Sequence, residues 1–284
     1  MIGGIELGGT KCVVAVADNP LDIVEKKIIP TRDPKNTISD ILSFFSNFQI
    51  SGLGVGSFGP LILNSSLTEY GLLVGESKNG WKGTNIVKEL SNISSNIAID
   101  TDVNTAGIGE YMYGNGKNCD NLVYVTIGTG IGVGVLVNGK PYTGNFHLEA
   151  GHISVPNPDQ ISGVCRIHGE CWEGLASGPA LEGRWNMEGL EIPENHVAWD
   201  KEAELIAYGL VSIIANHSPD KIILGGGVMK QSHLYSKIRF HFKKIWNNYT
   251  PLVDLTDLIS KPGLGSDSGI IGSLILADGG PAQI

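Results

Sequence analysis

Two stretches of this chain repeat one plan: an apolar β-branched strand, a turn of glycine and threonine, and a second apolar strand. The first is Gly-Gly-Ile-Glu-Leu-Gly-Gly-Thr-Lys-Cys-Val-Val-Ala-Val-Ala at residues 3–17, and the second is Val-Tyr-Val-Thr-Ile-Gly-Thr-Gly-Ile-Gly-Val-Gly-Val-Leu at residues 123–136. β-Branched residues favour extended chain, while glycine in the turn lets backbone N–H groups converge with no Cβ in the way. One such hairpin is ambiguous, because glycine inside a strand also marks bulges that hold nothing. A second copy about 120 residues later changes the inference, since a duplicated unit can hold a nucleotide's phosphate chain between its two turns. The first copy adds an acid, Glu6, and a cation, Lys11. The middle of the molecule is therefore expected to be a cleft.

A chain of 284 residues can bury the cores of two α/β domains. No run approaches the ~18 apolar residues of a membrane span, and the first residues enter a strand without a secretory-type leader, so a cytoplasmic protein is expected. A formal charge of −9 with 20 scattered Lys and Arg argues against a nucleic-acid surface, which needs a basic stripe.

Beyond the first hairpin, residues 23–29 read as a third strand. Ile38, Ile41, Leu42, Phe45 and Phe48 recur at helical spacing over residues 37–48. A short strand from Leu53 runs into a Gly59-Pro60 turn, which is an ordinary turn or, at a strand end of an α/β unit, a ligand-facing one. Lys78-Asn-Gly-Trp81 reads as a loop tip whose tryptophan is either packing or a sugar-facing wall. A short helix over 85–90 leads to a strand at 96–100, and Asp102 then precedes a small-residue helix at 105–112. An acid at that junction is either an N-cap or a site carboxylate. Later helices are expected over 179–185, 199–217, 233–246 and 267–277. The strand 221–224 ends in Gly225, Gly226 and Gly227, which leave room for a ring or phosphates at a helix start.

The long loop at 141–174 holds His152, Cys165, His168 and Cys171 in the spacing H-x12-C-x2-H-x2-C. Thiolate and imidazole in a set of four suit tetrahedral Zn²⁺ in a structural role. Cys12 and Cys119 lie in or beside core strands and read as small buried residues.

Taken together, the motifs resemble the ROK family of sugar kinases in the actin-like ATPase superfamily, and most of all its bacterial fructokinase branch. The resemblance rests on Glu6-Leu-Gly-Gly-Thr-Lys11, Gly56-Ser-Phe-Gly-Pro60, Thr101-Asp-Val-Asn104, Gly128-Thr-Gly-Ile-Gly-Val-Gly134, Glu149-Ala-Gly-His152, Cys165 to Glu173 and Gly225-Gly-Gly-Val228, in family order over nearly the whole chain. It implies an α/β fold of two duplicated ribonuclease-H-like domains with an interdomain cleft. Residues 1–117, joined by a closing helix at about 267–284, would form the smaller domain, and residues 118–266 the larger one with the zinc loop.

By the same resemblance, Asp102 is the general base of an ATP-dependent hexose kinase making fructose 6-phosphate. Asn104 is close enough in sequence to orient it. Gly8, Gly9, Thr10 and Lys11, with Gly128, Thr129 and Gly130, would hold the phosphates, and Glu6 would hold Mg²⁺ through water. Gly225 to Gly227 would meet the adenosine. Gly59, Pro60, Thr101, Glu149, His152 and Glu173 would face the sugar, and a homodimer is implied. Two departures stand out. His168 replaces a cysteine common in the family, and Thr101 replaces a common asparagine, which bears on glucose preference more than on kinase activity. Family repressors carry a helix-turn-helix before the first hairpin, which only Met1 and Ile2 precede here. A sugar sensor without catalysis and a kinase for glucose, mannose or allose are the other readings.

Overall fold

The computed structural model describes residues 1–251 and 254–280. Strands β1 (Ile2–Leu7), β2 (Lys11–Asn19) and β3 (Asp22–Pro30) precede helix α1 (Pro34–Phe45). Then come β4 (Gly52–Ser57), α2 (Ile86–Leu90), β5 (Ile97–Thr101) and α3 (Asp102–Tyr113). The second half opens with β6 (Asn121–Ile127), β7 (Ile131–Val137) and the two-residue β8 (Lys140–Pro141). After the long loop follow α4 (Trp172–Ala176), α5 (Gly178–Trp185) and α6 (Ala198–His217). The chain continues through β9 (Lys221–Gly225), α7 (Leu234–Trp246), α8 (Leu255–Leu258), β10 (Ile259–Ser260) and α9 (Ser268–Ala277).

The duplication is visible in the sheets. One runs β3-β2-β1-β4-β5 and the other β8-β7-β6-β9-β10, the same order of equivalent strands. In each, the opening hairpin is antiparallel and its first strand pairs in parallel with the strand that follows the crossover. Alternating burial alone does not produce these strands: β1 and β4 are buried almost throughout because helices or the other half cover both faces.

Helix α1 begins three residues earlier than the periodicity predicts. Asp33 caps it by accepting from the Asn36 N–H, and Pro34 occupies the first turn, where a missing N–H costs nothing. It ends at Phe45, leaving Phe48 on a separate turn. Trp81 resolves to packing: it is 1% exposed, sits edge-on against Phe58 and donates from Nε1 to the Arg32 carbonyl.

Helices α3 and α9 cross between the two sheets. A Cβ on Gly109 would lie 2.4 Å from the Ser268 carbonyl oxygen and one on Gly272 would lie 1.7 Å from that of Thr105, so side chains there would force the helices apart. This explains the small-residue character of α3. Helix α9 is buried on every side and packs on the first sheet, with Ser273 Oγ donating to the Ile5 carbonyl in β1. The fully buried Glu110 ties the crossing together by accepting from Gly263 N, Leu264 N and Ser268 Oγ. Helix α9 ends at Ala277, and residues 281–284 of the expected closing segment lie outside the described residues. Among the described residues, no helix is long and apolar enough to cross a membrane.

Candidate active site between the two glycine turns

Register places the turn Gly8-Gly9-Thr10 after Leu7, opposite Cys12, and the turn Gly128-Thr129-Gly130 between Ile127 and Ile131. The two turns meet: Thr10 Oγ1 and Thr129 Oγ1 lie 3.2 Å apart across the cleft. Gly8 N donates to Lys11 O and Gly128 N to Gly130 O, so the turns are closed by their own backbone. Lys11 stands exposed at the start of β2. The third glycine run adjoins the second turn. Gly226 takes φ +93, where a Cβ would strike the Ile127 carbonyl at 2.3 Å, and Gly227 N is within 3.5 Å of a Cβ built on Gly128. A 3-10 turn at Val228–Lys230 separates the glycines from α7, which begins at Leu234, one residue after the expected start.

At the end of β5 the structure separates two adjacent residues. Thr101, not Asp102, is the N-cap, with its Oγ1 accepting from Asn104 N at 3.2 Å. Asp102 is the first helical residue, and its Oδ1 accepts from Val103 N. Burial pushes the Asp102 carboxyl up to about 7, the charges of Glu6 and Glu149 add to that, and the Val103 N–H opposes it. Asn104 does not turn toward Asp102: its Nδ2 donates to Asp100 Oδ1 at 2.7 Å. Thr101 is 5% exposed, so its hydroxyl serves the cap first.

Glu6 reaches the same region from β1. Its Oε2 is buried without a hydrogen-bond partner among the described residues, and a Cβ on Gly269 would lie 2.5 Å from its Cδ. Burial raises its pKa and Asp267 adds to the rise, while Lys11 and Lys26 oppose it. A buried carboxylate oxygen left without a partner is chemically suited to accept from a water of a hydrated divalent cation.

Glu149, whose charge acts on Asp102, keeps 42% of its side chain exposed, and partial burial together with the Glu173 charge brings its carboxyl to about 7. Glu173 Oε2 accepts from Ile131 N at 3.0 Å, so this acid supports the second turn from behind. A residue absent from the sequence-based candidates joins them. His147 has 3% of its side chain exposed, its Nε2 accepts from Leu61 N at 3.1 Å, and its Nδ1 lies 3.6 Å from Glu149 Oε1. An accepting Nε2 puts the proton on Nδ1, which donates to the Leu148 carbonyl at 3.3 Å, and burial lowers the pKa of the ring against that bond. Gly59, which precedes a cis bond to Pro60, packs on this ring. The motif Phe146-His-Leu-Glu149 carried the signal, but a lone His beside a glutamate is too common to stand out.

The four expected metal ligands converge. His152, Cys165, His168 and Cys171 offer ligand atoms that all lie within 4.8 Å of one another. His152 Nδ1 is 3.5 Å from Cys171 Sγ and 3.8 Å from Cys165 Sγ, which leaves its Nε2 for another partner. Two thiols and two imidazoles at this spacing fit one tetrahedral zinc ion.

The ROK family profile matches residues 2–279. A fructokinase from Streptococcus mutans is 37% identical over 286 residues, covering 98% of this chain and 97% of that protein. A fructokinase from Zymomonas mobilis is 36% identical, covering 97% and 95%. Among solved structures, a ROK family glucokinase from Streptomyces griseus in complex with glucose and AMPPNP superposes with a TM-score of 0.81 at 23% identity, covering 98% of this chain and 99% of that one. The shared fold is two duplicated ribonuclease-H-like domains of the actin and hexokinase type, and this chain belongs to the ROK family.

Proposed function

We propose that the chain is an ATP-dependent hexose kinase whose acceptor is fructose, phosphorylated at O6. The observation that carries the reading is the meeting of the two turns, with Asp102 within reach of the charges of Glu6 and Glu149 and with Glu173 bonded to the second turn. Fructokinases of this family that align over nearly the whole chain support the sugar assignment.

In this reading the backbone of Gly8, Gly9, Thr10, Gly128, Thr129 and Gly130 cradles the triphosphate, with Lys11 adding charge. Gly225, Gly226 and Gly227 face the adenosine. Glu6 holds water ligands of Mg²⁺, which supplies charge neutralisation to the phosphates when bound. Sugar hydroxyls meet Glu149, Glu173, His152 Nε2 and the backbone around Gly59, Pro60 and Thr101. Asp102, kept near neutral pKa by burial, accepts the O6 proton as O6 attacks the γ-phosphorus and the bond to the β-phosphate oxygen breaks, releasing ADP. His152, Cys165, His168 and Cys171 would hold a Zn²⁺, which would fix the shape of the loop that carries Glu149 and Glu173. Residues 1–117 with the closing helix form one domain and 118–266 the other; a cytoplasmic homodimer completes the proposal.

A coupled ADP-release assay across fructose, glucose, mannose and allose tests it. Fructose is expected to give the highest kcat/KM. Preference for another hexose would replace the sugar assignment, and no ADP release above hydrolysis with any of them would favour a sensor.

A further inference from the structure

We propose that Lys78, in the segment between β4 and α2, is a catalytic cation that meets the transferred phosphoryl group. The inference rests on the kinase reading above. Its Nζ donates to the carbonyl of Gly9 at 2.6 Å, at the tip of the first turn and next to the contact between Thr10 and Thr129. A long, flexible side chain reaches such a point by chance in many loops, but this loop is held on both sides of the lysine.

Three residues before it, Gly75 packs so tightly on Pro60 that a Cβ would lie 2.2 Å from the ring Cδ. Immediately before it, Ser77 Oγ donates to the Gly59 carbonyl. Three residues after it, Trp81 is buried to 1% exposure and donates to Arg32 O at 2.8 Å. These anchors leave the Lys78 stem little freedom, so the entropy of holding the ammonium over the turn is largely lost on folding rather than on binding.

The partner also matters. Lys26 pairs with Asp267, Lys82 with Glu76, and Lys201 with Asp159 and Glu204. Among the described residues, Lys78 forms no ion pair, and its hydrogen-bond acceptor is a neutral carbonyl. An ammonium has three N–H donors, and one carbonyl occupies one of them. In the kinase reading, Glu6, Asp102 and Glu149, with Glu6 and Glu149 acting electrostatically on Asp102, oppose the approach of a triphosphate. A second cation beside Lys11 offsets that repulsion where charge accumulates on the migrating phosphoryl oxygens.

The test compares wild type, Lys78→Met and Lys78→Arg, with melting temperatures to verify folding. Calorimetric titrations use ADP and AMP-PNP in Mg²⁺, and steady-state assays use ATP with fructose. Lys78→Met is expected to bind ADP as wild type does but AMP-PNP about tenfold more weakly, because the missing charge faces the third phosphate. Turnover should fall about 10²-fold with the sugar KM within about threefold, the scale of losing one preorganised donor to developing charge. Lys78→Arg should recover most of the turnover. Equal weakening of ADP and AMP-PNP, unchanged turnover in Lys78→Met, or a raised sugar KM at unchanged turnover would overturn the proposal. Should wild type turn over no sugar, the kinase reading fails, while the ADP and AMP-PNP comparison still decides whether Lys78 faces the third phosphate.

Discussion

Each half of the molecule presents a strand-turn-strand unit to the cleft, but the two turns are held from behind by different chemistry. The first is tied to its own domain: Thr31 N donates to Thr10 O, and Thr31 Oγ1 donates to Gly8 O at 2.8 Å. The second is tied to the end of the loop that holds the His and Cys cluster, through Ile131 N to Glu173 Oε2, and to the start of α5, through Gly178 N to Gly128 O. Glu173 in turn lies 3.9 Å from Nδ1 of His152, one of the four metal-site residues. Duplication thus conserved the shape of the turn and left its backing free to diverge. The second turn is bonded directly to Glu173 beside the His and Cys cluster, and the first meets it only through Thr10 and Thr129.

The largest expected difference comes from adding one methyl to the second turn. A Cβ on Gly130 would sit 2.5 Å from Glu173 Oε2, so Gly130→Ala drives that carboxylate off the Ile131 N–H. Displacing a positioning group by about 1 Å can cost ~10²-fold in rate, and kcat/KM should fall by about that much while the far-ultraviolet spectrum is unchanged.

A smaller effect is expected from the metal loop. Cys171→Ser removes one of the four side chains proposed to hold zinc, and Cys171 Sγ also caps α4 by accepting from Gly174 N. Disturbing a loop that served only the sugar would raise the sugar KM and leave nucleotide binding alone. With Glu173 shared between the loop and the second turn, both should weaken, the sugar KM about tenfold and ATP binding by less. Unchanged nucleotide affinity in zinc-free protein would break the link between loop and turn. The smallest effect is expected at Gly9, where a Cβ meets nothing within 4 Å: Gly9→Ala should keep kcat/KM within about threefold of wild type if backing, rather than glycine itself, distinguishes the turns.

Much of this was legible in the sequence because strands covered on both faces are written in consecutive apolar residues, and glycine marks where chain approaches chain. The repeated hairpins, the small-residue helix and the H-x12-C-x2-H-x2-C spacing all carry local signals of that kind. Strands β8 and β10 escaped notice because two residues are too few to show a period. Thr101 and Asp102 are both good caps, and only the turn of the backbone at the end of β5 decides between them. Asn104 was assigned to Asp102 by proximity in sequence, whereas helix geometry takes its amide to Asp100 in β5. His147 and Lys78 act across 86 and 69 residues of sequence, a separation at which no local pattern reports a contact.

The central claim is that Asp102 removes a proton at the meeting of the two turns, and a pH series on wild type and Asp102→Asn tests it most directly. With the folded carboxyl raised to about 7, kcat/KM should climb as pH rises through that value, because only the ionised form accepts a proton. The same shift has a stability consequence. A folded pKa above the unfolded one means that the native state binds the extra proton, so ionisation of Asp102 costs stability as pH rises from about 4 through about 7. Asp102→Asn should therefore melt at or above the wild-type temperature at pH 8, gain less at pH 5, lose ~10²-fold or more in turnover, and lack the limb near 7. An Asn variant that phosphorylates sugar at nearly the wild-type rate with the limb intact would contradict the account and return Asp102 to a structural place in the first turn of α3.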